Sequence, residues 1–173
     1  MVTRKATRWF LAGAVVCAIL GNFGAVSFAA EKTKDVELSR ALGQATLFAG
    51  LTDEERDALK SAALLRHCKA GESIIEQGKT LDRMFIIVDG QAEVRVNGKP
   101  VATLPEQSVV GEVEFLDRLP ASADVVMLKD THLIELNDAE LTGLMKKQPR
   151  LGYAVMSELA KMEAQRLRAM NLK

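Results

Sequence analysis

The sequence predicts an α+β domain in which an antiparallel β-roll or sandwich sits between helices at its two ends. Three observations carry this. The hydrophobic period changes from 3.6 residues to 2 near residue 65 and returns to 3.6 at residue 138. Between those points lie short apolar runs punctuated by Gly71, Gly78, Gly90 and Gly98. No helical crossover separates the runs, which argues against a parallel sheet.

The first element is not part of that domain. Arg4, Lys5 and Arg8 precede an apolar run from Trp9 to Leu20, and no acidic residue appears before Glu31. The helix-weakening pair Gly21-Asn22 follows, then small residues at Ser27 and Ala29. A basic start, an apolar core and a small-x-small end make a secretory signal, with cleavage predicted after Ala29 and Ala30 as second choice. The alternative is an uncleaved anchor, because residues 9–30 reach the roughly 20 apolar residues that a bilayer span needs. Asn22 and the glycines of this stretch count against it. Cys17 is not a lipoprotein site, because Val16 before it is too bulky. Residues 1–29 are therefore assigned as signal and residues 30–173 as one domain, with helices over 36–64, the roll over 65–137 and C-terminal helices over 138–171. The expected location is periplasmic or secreted, or inner-membrane-anchored and facing the periplasm if the signal is kept.

The signal holds three of the 23 Lys and Arg and none of the 23 Asp and Glu, which leaves the rest of the chain at −3. No basic face is implied, so a nucleic-acid partner is not expected. Of the two cysteines only Cys68 lies outside the signal, so an internal disulfide scaffold is excluded. The domain retains Phe48, Phe85, Phe115 and Tyr153 as its aromatics, which implies a core of Leu, Ile, Val and Met.

Residues 31–35 are charged and read as loose. Val36, Leu38, Ala41, Leu42 and Ala45 recur at helical spacing. Thr52-Asp53-Glu54-Glu55 is a capping box and opens a second helix whose apolar face runs through Leu59, Ala62 and Ala63 to Leu64. Strands follow at Ser73–Glu76, Met84–Val88 and Ala92–Val96. Asn97-Gly98 then joins Ala92–Val96 to Val101–Leu104 as a hairpin, because both turn residues tolerate positive φ. Ala123–Leu128 and His132–Leu136 are two more strands. Asn137 caps a helix carrying Leu141, Leu144 and Met145, and Pro149 starts the last helix, where its missing N–H costs little. That helix has two apolar stripes. One is Leu151, Val155, Leu159 and Met162; the other is Met156, Ala160, Leu167 and Met170. Two stripes imply two partners, the roll and a second subunit, so a homodimer through residues 150–170 is an expectation.

The stretch Val109-Val110-Gly111-Glu112-Val113-Glu114-Phe115-Leu116-Asp117-Arg118-Leu119-Pro120-Ala121-Ser122-Ala123 closely resembles the phosphate-binding cassette of cyclic nucleotide-binding domains. Lys69–Gly78 is similar to the first hairpin of that family and Met84–Gly90 to its next strand and turn, so the resemblance covers about residues 47–170. It implies a cyclic nucleotide-binding-like β-roll of the jelly-roll, or double-stranded β-helix, type. It also implies ligand contacts at Gly111, Glu112, Val113, Ser122 and Ala123. In the family a short helix aims its N–H groups at the cyclic phosphate, the Glu accepts from the ribose, and an Arg after the Pro pairs with the phosphate. Here that arginine position holds Ala121, and Glu114 stands where the family has a small apolar residue. Arg118, three residues upstream, is the candidate compensating cation.

Other constellations are weak. His67 and Cys68 are neighbours on a strand and point to opposite faces, so they do not share a metal. His132 is alone on its strand, and no metal site is expected. Glu112 and Glu114 lie two apart and do not share a helix face. Lys146-Lys147 and Arg166 with Arg168 read as solvated helix faces. No hydrolase, zinc-protease or phosphate-loop motif is present, so an enzyme and a resident cofactor are not expected. The expected function is an exported, non-catalytic sensor module for a small molecule, a cyclic nucleotide being one candidate. The alternative is a scaffold that binds an envelope protein through its C-terminal helix. A membrane is a partner only if the signal is uncleaved.

Overall fold

The computed structural model describes residues 22–171, with side chains from residue 32 onward. The greater part of the expected signal, residues 1–21, lies outside the described residues. The described residues fall into two units, divided between Asp35 and Val36. Helix α1 (Asn22–Gln44) is continuous through Ala29 and Ala30 and through the charged residues 31–35. The last of these differ from the loose segment expected, because nothing in Glu31–Asp35 breaks a helix. Among the described residues no helix is long and apolar enough to cross a membrane.

In the second unit a one-turn 3₁₀ helix (Thr46–Phe48) follows α1, then α2 (Asp53–Leu59). The capping box forms as the sequence predicts, with Thr52 Oγ accepting from the Glu55 N–H and the Glu55 carboxylate accepting from the Thr52 N–H. The helix stops five residues short of Leu64. Ala63 and Leu64 belong to β1 (Ala63–Cys68), so the roll begins two residues earlier than expected.

Eight strands make the roll: β1, β2 (Ser73–Ile75), β3 (Arg83–Ile87), β4 (Ala92–Val96), β5 (Lys99–Leu104), β6 (Val109–Val110), β7 (Asp124–Met127) and β8 (Thr131–Asn137). They form two antiparallel four-stranded sheets, ordered β1-β8-β3-β6 and β2-β7-β4-β5. The Asn97-Gly98 hairpin joins β4 to β5, with Asn97 at φ 51° and Gly98 at φ 73°. The short β6 sits inside the cassette, where two residues are too few to show a strand period in the sequence. Helix α3 (Glu112–Asp117) interrupts the roll, and α4 (Asp138–Lys147) and α5 (Pro149–Asn171) close the chain.

Strand β3 shows why its sequence is an unbroken apolar run. Phe85 and Ile87 face the interior of the roll with Cys68, Ile75, Val110, Ala121, Val125 and Leu133. Met84 and Ile86 face the other way, onto Leu42, Phe48, Leu59, Leu141, Leu151, Val155 and Leu159 of the helices. Both faces of the first sheet are covered, so alternation disappears. Each fully buried side chain of this kind contributes about 1.5–3 kcal/mol relative to exposure. The first stripe of α5 is thereby buried through Leu151, Val155 and Leu159, while the second remains exposed at Met156, Leu167 and Met170. Arg150 clamps α5 to α2 by donating from Nε to Glu55 Oε1 at 2.8 Å and from Nη2 to Glu55 Oε2. This packing sets α5 beside the cassette.

Candidate ligand-binding site

The cassette begins where β6 meets Gly111, whose φ of 81° is open to glycine at little cost. A Cβ there would lie 2.8 Å from Leu81 Cδ2 and 3.0 Å from the Arg83 carbonyl, so space as well as conformation demands glycine. Helix α3 then runs for six residues with Glu112 and Glu114 in its first turn, where the dipole favours carboxylates. Arg118 ends it in the left-handed region, at φ 61°.

A cavity of about 210 Å³ opens beside α3. Its walls are Ile75, Val94, Leu104, Val110 and Val125 of the roll, and its polar rim comes from the cassette. Gly111, Glu112, Val113, Ser122 and Ala123 all border it. Glu114 borders it too, although two residues apart is not one helix face: Glu112 sits at the very start of α3, so both carboxylates reach the same space.

Ala121 does not line the cavity. It is buried in the apolar cluster of the roll. The Gly78 N–H donates to its carbonyl at 2.7 Å and its own N–H donates to the Lys79 carbonyl at 2.8 Å. The next amide, Ser122 N–H, donates to Glu114 Oε1 at 3.2 Å. A donor that could serve an anion is thus taken by a carboxylate of the same loop.

The cation at the cavity is Arg166 of α5. It is half-buried, not on a solvated face, because α5 passes directly beside the cassette. Its guanidinium donates to Glu112 Oε1, to Glu163 Oε1 at 2.8 Å and to the Val109 carbonyl. Arg118 is engaged elsewhere: Nη1 donates to Asp138 Oδ2 at 3.1 Å, and the guanidinium lies 5.0 Å from the Phe115 ring centroid. Burial pushes the Glu112 carboxyl up to about 7 against the pull of Arg166, and the neighbouring Glu163 charge adds to the rise. Burial also raises the Asp138 carboxyl, against the pull of Arg118.

A second cavity of about 340 Å³ lies between the end of α1 and the first sheet, bordered by Arg40, Gln44, Asp89 and His132 among others. Strand register puts His67 directly opposite His132, with ring centroids 4.9 Å apart, and Asp89 Oδ2 lies 2.8 Å from His132 Nδ1. His132 therefore has company that its own strand did not reveal. Among the described residues no three His, Cys, Asp or Glu side chains form a group that could hold a metal ion.

Residues 65–148 match the family model of the cyclic nucleotide-binding domain. Over 114 residues the chain is 32% identical to a Pycsar effector protein of Xanthomonas perforans, covering 65% of this chain and 38% of that protein. The chain thus spans well under half of that relative. A cyclic nucleotide-binding domain from Methylobacillus flagellatus superimposes with a TM-score of 0.67 at 23% identity, covering 78% of this chain and 79% of that one. The regulatory subunit of a cAMP-independent protein kinase A from Trypanosoma brucei gives a TM-score of 0.67 at 24% identity, covering 82% of this chain and 52% of that one. The form superimposed is a variant bound to cAMP in its A site, in which a glutamate, a threonine and a valine are changed to alanine, arginine and alanine. The two antiparallel sheets, the interrupting α3 and the flanking helices are those of the cyclic nucleotide-binding fold, and residues 65–148, from β1 to the end of α4, carry the match to its family model.

Proposed function

We propose that the chain is a non-catalytic regulatory module, exported by the signal of residues 1–29, whose cassette binds a small molecule other than a cyclic phosphate. One observation carries this reading: the Glu114 carboxylate accepts from Ser122 N–H, while the position after Pro120 holds a buried alanine. A phosphate placed there would meet a carboxylate and no dedicated cation. Burying it unpaired would cost several kcal/mol, on the order of the penalty for a lone buried charge. In the trypanosome subunit the changed glutamate, threonine and valine stand at the same intervals as Glu114, Ala121 and Ser122, and that variant holds cAMP. The coincidence supports treating Glu114 and Ala121, the two positions at issue here, as the determinant. Ligand in the cavity would compete for Glu112 and so act on α5 through Arg166.

The test is calorimetry and amide spectroscopy with cyclic AMP and cyclic GMP at millimolar concentration. The native chain is expected to show no binding, and the double variant Glu114→Ala with Ala121→Arg to gain it. Tight binding of either nucleotide by the native chain would overturn the reading. Recovery of an N-terminus at residue 30 or 31 from the exported protein tests the signal.

A second reading is favoured by the exposed face of α5, where Tyr153, Met156, Leu167 and Met170 lie open. On it the module is a scaffold, either a homodimer or a partner of an envelope protein, that uses this helix.

A further inference from the structure

We propose that the ligand of the cassette cavity is a protonated amine with an apolar body, its ammonium seated on Glu114. The proposal rests on the reading of the cavity as a small-molecule site without phosphate specificity. It comes from the charges that remain once each pair has been matched.

Three charged side chains border the cavity: Glu112, Glu114 and Arg166. Arg166 is committed to Glu112, to Glu163 and to the Val109 carbonyl. Glu114 is 7% exposed and has the Ser122 N–H on one oxygen. Among the described residues no lysine or arginine pairs with it. Arg118, the nearest cation in sequence, is turned to Asp138. One carboxylate is therefore left without a counter-charge in a cavity walled by Ile75, Val94 and Leu104.

A carboxylate in apolar surroundings gains most from an occupant that brings the missing cation with its own donors. An ammonium group carries three donors and no acceptor, which suits a site whose Ser122 amide is already used. The apolar walls then take a hydrocarbon body. An anion would be repelled, and an uncharged alcohol would leave the carboxylate uncompensated.

The experiment titrates the full chain at pH 8 with 2-phenylethylamine and hexylamine and, in parallel, with 2-phenylethanol and hexanol. At least one amine is expected to bind about tenfold tighter than its matched alcohol, in line with the strength of charge-assisted hydrogen bonds. Glu114→Gln, which keeps an acceptor for Ser122, should bring the two within about twofold, and Glu114→Asp should keep the preference. In the native chain the Ser122 amide resonance should move with the amine, which decides the matter even if Glu114→Gln fails to fold. A preference that survives Glu114→Gln, or an unmoved Ser122 amide, overturns the proposal. If the alcohols bind as well as the amines, charge recognition falls and the small-molecule reading stands. If cyclic nucleotides bind and neither series does, both fall.

Discussion

Arg166 of the last helix donates to the carboxylate of Glu112, the first residue of the cassette helix, across 54 residues of sequence. The contact joins the cassette cavity to the last turns of α5 and places the cavity's one arginine on that helix. Removing the guanidinium takes away the group that favours the charged form, so the buried carboxyl of the variant holds its proton to higher pH. Arg166→Met is therefore expected to destabilise the domain by about 1–2 kcal/mol at pH 8, one unit above the native value. At pH 6 the loss should shrink, because the carboxyl titrates near 7 and takes up a proton. Denaturant melts at the two pH values measure the difference.

Glu112 has its own pH signature. The folded chain holds its proton up to about pH 7, whereas the ordinary value is 4.5. The stability this group supplies is thus full below pH 4.5 and lost as pH rises to 7. The charges that face it are Arg166 and Glu163 from α5 and Glu114 from α3. Across that window the native chain should lose about 3 kcal/mol relative to Glu112→Gln, which cannot titrate. The carboxylates held low by partners, such as Glu72 with the Lys69 N–H and Arg66, or Asp130 with Lys69, titrate below the window and act in the opposite sense. Chemical melts at half-unit pH steps separate the two.

Gly111→Ala should be severe for two additive reasons. An alanine at φ 81° meets the left-handed penalty of about 1–2 kcal/mol. Its Cβ would also press on the Arg83 carbonyl at 3.0 Å, a backbone atom that cannot rotate away. A total loss of about 2–4 kcal/mol is expected in a melt. Gly98→Ala, which meets nothing within 4 Å, should cost only the conformational part, about 1–2 kcal/mol.

The roll was legible because its signals are local. Alternation in Ala92–Val96, the Asn97-Gly98 turn and the Asn137 cap each act within a few residues, and each appears where the sequence puts it. What the sequence hid depends on distant packing. Arg166 looks like any helix-surface arginine until α5 is laid beside α3. His132 gains His67 only through the β1–β8 register. The sequence does not mark the early end of α2, because Ala62, Ala63 and Leu64 suit a helix face as well as a strand, and pairing of Ala63 with Leu136 decides the matter. Ala121 directly after Pro120 is visible in the sequence itself. That the Glu114 carboxylate accepts from the Ser122 amide depends on how α3 folds back on the loop, which no local pattern signals.

The exposed stripe of α5 gives a final prediction. Tyr153, Met156, Ala160, Leu167 and Met170 follow the three-and-four spacing of a helix–helix seam, interrupted at Glu163. Tyr153 is 77% exposed, Leu167 61% and Met170 70%, a large apolar area for a lone helix. A two-fold pairing would set the same patch against itself and bury it on both copies. The chain should therefore sediment as a concentration-dependent dimer. Leu167→Lys with Met170→Lys should return it to monomer without lowering its melting temperature, because neither side chain enters the core. Glu163 facing its own copy would oppose the pairing, so Glu163→Gln should strengthen the dimer, while also freeing the part of Arg166 that does not hold Glu112. A chain that stays monomeric at every concentration tried would leave α5 as the contact face for a different protein.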